Sequence, residues 1–555
     1  MTFTRYSLHK PGTFGCLFLA AMLACASVPA TAQTITGPRA DEPIVRTGAQ
    51  IPHLEGQLPG RLVAFRYEGG WVQIPLQVDQ RKDVDVGTVR NDAPVGLTVT
   101  SYADPGTLVG PDPDPTFDAD DELVFMAGEA GSKAPDAAAR PSGVLPLPSP
   151  AIEAALTDPD TGQGAYVYLF VSDGSLDPAA GGEGVSYRYN LLSGTYPSAY
   201  DFSQGPNPED STVLTPYYSL HFSDRWVRDG LSITAGTSSG VNILDHHKFV
   251  FYPGNCGRTE VTFSEGGGGF FANIDGPVRA IRSYLGANSG YATQRDHFFY
   301  PRRHEIITYC RVHPIPGALD YMDYSSGALG MHYADEKNPA GCTIDGIQDS
   351  LSSSMPLWEM VTGPQGTLTI VRGGQIDVGG VYQLQHYYND QTVPQYTQCT
   401  GDSHEYGASG PWIVGAIWNT DPLLGSAGKL VLTQVEYYDP PGQGIATAQA
   451  RAEEEVRPLG VQTSSWPVAA VPSITSVASA KNPFRLKVVG EGFKQGCSVR
   501  IGASPAPETA FKNQSLAVAK GGAKLKGMLP RGTAVAVTVV NADGESSPPW
   551  SFTRP

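Results

Sequence analysis

The chain has 555 residues and a formal net charge of −17, with 38 Lys and Arg against 55 Asp and Glu. Such a balance opposes binding to nucleic acid or to anionic membrane surfaces, so neither is an expected partner. The length exceeds what one core usually organises, and roughly two to four domains are expected.

The first 33 residues read as an export signal. Arg5 and Lys10 precede the apolar run FGCLFLAAMLACA, and Ala30-Thr31-Ala32 supplies the small-residue cleavage pattern. No later stretch reaches the ~18 apolar residues of a membrane helix, so the expected product is secreted or periplasmic, without membrane insertion. Cys256, Cys310, Cys342 and Cys399 fall in one central segment. An oxidising compartment would join them in two disulfides of open pairing, and the absence of any CxxC pair argues against a thiolate metal site. Cys497 reads as a buried free thiol.

Glycine at 64 and proline at 46 punctuate short alternating runs of Val, Ile, Tyr, Phe and Thr, which predicts an all-β protein of multidomain antiparallel β-sandwiches. A first unit spans about 40–140, where LPGRLVAFRYEGGWVQIPLQVDQ gives paired strands and DPDPTFDADDELVF an acidic loop feeding another. Closely spaced carboxylates can supply several of the oxygens calcium requires, which makes Asp114, Asp118, Asp120 and Asp121 candidate metal ligands. The EF-hand order is absent, and the alternative is a solvated acidic turn. Residues 141–164, rich in Ala, Pro, Ser and Asp, read as a linker.

A central unit spans about 165–460, with strands such as YVYLFVS, HKFVFY, PVRAIRSY and TLTIVRG. Its one strong helical pattern is ATAQARAEEEV, 446–456. The stretch RDHFFYPRRHEIITY, 295–309, concentrates three arginines and two histidines in this acidic chain. Pro301 predicts a turn after HFFY, followed by a strand with Arg302, His304, Ile306 and Thr308 on one face and Arg303, Glu305, Ile307, Tyr309 and Arg311 on the other.

An arginine fork matches a carboxylate, and a histidine or tyrosine beside it can move protons near neutral pH. A uronate-cleaving lyase needs that set, so Tyr300, Arg302, Arg303 and His304 are candidate catalytic residues, with Arg295 and His297 as substrate contacts. Ion pairing of the arginines with the surplus carboxylates is the alternative. Trp358, His386, Tyr387, His404 and Trp412 lie in an aromatic-rich stretch and are candidates for stacking on sugar faces, or else for filling a sandwich core. Asp245-His246-His247 and Asp402-Ser403-His404-Glu405 raise a metal-dependent oxidoreductase, although adjacent strand histidines point to opposite faces and no HExxH occurs. No G-x-S-x-G supports a serine hydrolase.

From Val471 the chain reads VPSITSVASAKNPFRLKVVGEGFKQGCSVRIG and closes on VAVTVVNADGESSPPWSF. Pro472 and Ile474, the Gly490-Glu491-Gly492-Phe493 turn, Gly496 before Val499 and Ile501, and the Val539 to Gly544 stretch resemble the immunoglobulin-like IPT/TIG family. The resemblance covers about 470–555 and implies a spacer or binding module. At the level of architecture alone, 165–460 is similar to the large β-sandwich of galactose-mutarotase and polysaccharide-lyase families, which carries no catalytic residue across. The leading expectation is an exported carbohydrate-binding protein, acting as a lyase or other carbohydrate-active enzyme on an acidic polysaccharide. A noncatalytic surface or matrix scaffold is its rival.

Overall fold

The computed structural model describes residues 34–555 apart from 137, 147–148, 183, 194–207, 252–257, 392–403, 468–471 and 543. The export-signal segment, Cys256 and Cys399 lie outside the described residues. The chain is all-β, with antiparallel ladders throughout its larger sheets.

Two compact units form. The larger takes the described residues up to Lys133 together with Ala154–Gln462, so the stretches that the sequence divides into an N-terminal and a central domain share one unit. The tie is polar and buried: Arg279, before the Ala280–Leu285 strand, donates to Asp79 (2.9 Å) and Glu122 (2.6 Å) of the N-terminal stretch. Part of the expected linker is also folded. Residues Ala151–Thr157 form a strand because Ile152, Ala154 and Leu156 are buried.

The larger unit is built on a nine-stranded sheet. Its spatial order is Gly269–Ile274, Ala280–Leu285, Gln294–Phe299, Arg303–Tyr309, Lys429–Asp439, Gly366–Asp377, Trp358–Gly363, His332–Asp335 and Cys342–Thr343. A four-stranded sheet of Leu244–Phe251, Ile315–Tyr324, Glu405–Ile417 and Gly380–Gln391 packs on it, and Phe249, Phe251, Ala318 and Ile413 share one core with Phe270, Tyr284, Leu430 and Leu432. The expected helix is present as Ile445–Val456, rich in Ala, Glu and Gln. It lays Ala448 and Ala452 on Trp358, Met360, Val371, Val435 and Tyr437.

The smaller unit takes Ala134–Glu153 and Thr463–Pro555. It holds two four-stranded sheets over a core that includes Leu486, Val488, Phe493, Val499, Ile501, Val537 and Phe552. The Arg485–Glu491 strand alternates strictly between exposed and buried, the period of two expected of a half-buried strand. Gly490 is required by close approach, since a Cβ there would sit 1.8 Å from the Ser473 carbonyl oxygen, and Gly492 has φ +71.

The cysteines correct the expectation of two bridges. Cys310, Cys342 and Cys497 are free thiols. Cys310 lies in the apolar core with Trp226, Phe249 and Val312, and Cys342 Sγ is 3.0 Å from Tyr388 Oη. Burial pushes both thiols up, Cys342 to about 12, so neither is a ready thiolate.

Candidate functional site: a groove on the outer face of the nine-stranded sheet

Alternation along the Gln294–Phe299 and Arg303–Tyr309 strands sends neighbouring residues to two different places. The strands are joined by a tight turn in which Tyr300 N–H donates to the Arg303 carbonyl (2.7 Å), and Phe298 lies opposite Glu305 and Asp296 opposite Ile307. Gln294, Asp296, Phe298 and Tyr300 therefore share a face with Arg303, Glu305, Ile307, Tyr309 and Arg311. Arg295, His297, His304, Ile306 and Thr308 occupy the other.

The first face lines a groove of about 940 Å³. Arg81, Tyr102, Glu122 and Arg279 bound one part of it, and Glu454 and Glu455 of the helix line it as well. At the Arg279 end, Glu122 accepts hydrogen bonds from Arg81 (2.7 Å), Arg279 (2.6 Å) and Tyr102 Oη (2.9 Å), and Arg279 Nη1 reaches Tyr300 Oη (3.3 Å). Burial raises the Glu122 carboxyl, but the two guanidiniums outweigh it and hold the group below its ordinary value. Near the helix, Arg303 pairs with Glu455, lies 3.4 Å from Glu305 and donates to Tyr437 Oη (2.8 Å). Burial lifts Glu454 to about 7, against the pull of Arg451.

Asp296 differs from the other carboxylates lining the groove. It accepts from Ser283 Oγ (2.5 Å) and Gln294 Nε2 (3.0 Å), and among the described residues no basic side chain lies within ion-pair reach of it. Burial raises its carboxyl above the ordinary value, with the two neutral donors and then the Arg311 and Arg81 guanidiniums opposing. Gln294 Oε1 in turn accepts from Arg311 (3.2 Å), whose other donor contact is the Ala292 carbonyl (3.0 Å).

The opposite face belongs to a polar interior between the sheets. Arg228 makes a two-pronged bond to Glu436 (2.8 Å each), both fully buried, and His304 Nδ1 lies 3.2 Å from the same carboxylate. His297 bridges His304 (2.9 Å) and Tyr284 Oη (3.0 Å). Arg295 donates to Thr308 Oγ1 (2.8 Å) and Asp320 (3.3 Å), and His247 Nε2 lies 2.8 Å from Asp320. Burial, and then the neighbouring cations, hold His297 well below its ordinary value, while burial takes His247 to about 4 despite Asp320.

The candidate catalytic residues are thus divided. Arg303 lines the groove and the buried Tyr300 backs it with its hydroxyl on Arg279, whereas His304 is sealed between the sheets. Arg302 stands elsewhere, paired with Asp439 (3.1 Å) and Asp41 (3.6 Å) and lying 3.9 Å over the Tyr217 ring. The expected sugar-contact residues do not line the groove. Arg295 and His297 are interior, and Trp358 packs under the helix. His386 lies 2.7 Å from Tyr333 Oη, Tyr387 donates to Glu405 (2.5 Å), Trp412 meets Tyr387 edge-on, and the exposed His404 stacks on Tyr406.

Among the described residues no three His, Cys, Asp or Glu side chains are placed to hold a metal ion. In the acidic loop, Asp114 accepts from Thr116 and Asp121 from the Arg81 and Asp118 amides. Asp118 accepts from the Asp120 amide, and burial together with Asp118 lifts Asp120 to about 6. His246 turns toward Glu260 (3.6 Å) while His247 faces Asp320, the opposite-face geometry expected of strand neighbours.

Sequence reasoning missed Asp296, Arg279, Glu122 and the two helix glutamates as groove residues. The signal for Asp296 was present: extending the alternation back through the turn puts it on the Glu305 face. No family model matches the chain, and no curated protein matches it.

Proposed function

We propose that this is an exported carbohydrate-binding protein whose groove holds a glycan chain. The observation that supports it most is the composition of that groove. It falls in the size range of small-ligand sites, and the part-exposed Tyr309 ring stands among fixed donors and acceptors, with the buried Tyr102, Phe298 and Tyr300 rings packed together behind the lining, an apolar wall with polar groups of the kind that holds a sugar. The first 33 residues would direct export, and the C-terminal unit would serve as an IPT/TIG-like spacer or accessory module, a reading supported by the Gly490 close approach at its motif turn.

The groove is not a cationic trough. Arg81, Arg279, Arg303, Arg311 and Arg372 line it against the carboxyl groups of Glu42, Glu122, Asp296, Glu305, Glu454 and Glu455, so an acidic polysaccharide would find guanidiniums largely offset by carboxyls. The noncatalytic scaffold remains the second reading, favoured by the ion pairs that already occupy Arg302 and Arg303. Glycan-array and calorimetric binding with the full chain tests the proposal. Binding to at least one neutral glycan, weakened tenfold or more in Tyr309→Ala, is expected. Binding unaffected by substitutions in the groove would reject it.

A further inference from the structure

Resting on the reading of the groove as a carbohydrate site, we propose that Asp296 and Glu305 form the acid and base of a glycoside hydrolysis acting on a neutral glycan. Three independent features of the groove converge on this pair.

The first is placement. Phe298 pairs with Glu305 and Asp296 with Ile307, so Asp296 and Glu305 are diagonal neighbours on one face of adjacent antiparallel strands. Such positions are roughly 7–8 Å apart along the backbone and somewhat closer between Cβ atoms, a separation from which two carboxyl side chains can flank a sugar linkage. Carboxyl groups about 6.5–9.5 Å apart leave room for a sugar linkage and a water between them, the spacing of inverting hydrolases. Both side chains line the groove.

The second is the difference in their surroundings. Asp296 is 6% exposed, and burial favours its protonated form over the opposing pull of the Ser283 and Gln294 donors and the more distant Arg311 and Arg81 guanidiniums. Glu305 has the Arg303 guanidinium 3.4 Å away, which favours the carboxylate. Glu305 thus has a guanidinium beside it, shared with Glu455, while the side-chain hydrogen bonds to Asp296 come from neutral groups, and that asymmetry assigns the acid to Asp296 and the base to Glu305.

The third is charge. Arg81, Arg279, Arg303 and Arg372 each carry a carboxylate partner, and a uronate chain would have to displace one of them or crowd around Arg311. A neutral chain needs only hydroxyl contacts.

In the reaction Asp296 gives its proton to the glycosidic oxygen as the bond from that oxygen to the anomeric carbon breaks. A solvent water attacks the anomeric carbon from the opposite side, and Glu305 takes the proton that this water loses. One chain end leaves as a free hydroxyl and the other as a hemiacetal of inverted configuration. Solvent exchange restores the Asp296 proton and clears the one on Glu305.

The test incubates the full chain with neutral polysaccharides (xylan, β-glucan, mannan, galactan and arabinan) and, in parallel, with uronic polysaccharides. Binding, reducing ends, anomeric configuration by NMR and ultraviolet absorbance of unsaturated products are all followed. New reducing ends from a neutral glycan, with inversion and without unsaturated products, are expected. Asp296→Asn and Glu305→Gln should each lower that rate by about 100-fold or more while binding changes only a few-fold. A neutral glycan that binds but yields no reducing ends overturns the acid–base pair and leaves the binding function standing. Unsaturated products from a uronic chain overturn the neutral-substrate assignment, and failure to bind any glycan removes both readings.

Discussion

His297 Nδ1 and His304 Nε2 lie 2.9 Å apart in the sealed interior of the larger unit. With both rings neutral the row closes in either direction: from Tyr284 Oη through His297 and His304 to Glu436, or from Arg228 Nη1 through His304 and His297 to Tyr284 Oη. Burial lowers His297, His304 and His386 below the ordinary imidazole value, and takes His247 to about 4. As pH falls the unfolded chain takes up protons that these rings refuse, so their contribution is whole above about 6.5 and lost as pH falls through the folded values. Thermal melts from pH 7.5 to 4 should show a steep fall in Tm below about pH 6, with proton uptake on unfolding by potentiometry. A flat profile would mean the rings are charged in the native state.

Arg228 and Glu436 form a fully buried pair whose members are 208 residues apart in sequence. Removing one partner strands the other charge, which costs about 3–5 kcal/mol. Glu436→Leu and Arg228→Met should each lose that much in chemical denaturation, or fail to accumulate as folded protein. The double variant should recover part of the loss, and additive single losses would contradict the pairing.

Glu454 carries the opposite pH signature. Burial raises it to about 7 from an ordinary 4.5, so its contribution is present at low pH and lost as pH rises through that window. The stability of Glu454→Gln relative to the parent should therefore rise between pH 4.5 and 7, by on the order of 3 kcal/mol at full ionisation. Paired denaturation curves at pH 4.5 and 8 measure it, and an unchanged difference would place the carboxyl in water.

The free thiols make a chemical prediction. In the native protein Cys310 should resist alkylation, since it is 1% exposed and burial raises its thiol. After unfolding without reductant, Cys310, Cys342 and Cys497 should all label, which peptide mass mapping reads directly. Protection of Cys310 or Cys342 until reductant is added would restore the disulfide reading.

The two-faced pattern of 303–311 was legible in the sequence, because side chains on a strand alternate whatever surrounds them, and the Pro301 turn fixed where that strand begins. Which face meets the groove was not legible. That depends on Glu122, Asp79 and Glu455, brought to Arg279 and Arg303 from distant parts of the chain by pairing that no local pattern encodes. The same limit explains the cysteines: a shared segment says nothing of distance, and Cys310 went to an apolar core while Cys342 went to a sheet edge beside Tyr388. The helix was legible from composition alone, but the line of Glu454 and Glu455 along the groove was not.

The hairpin that carries Asp296 and Glu305 also carries His297 and His304, on alternate positions of the same two strands. A slip of a single residue would turn imidazoles outward and carboxyls into the sealed layer. Exchange at every second position can therefore remodel the groove side while leaving the sealed side untouched, whereas adding or removing one residue disturbs both at once.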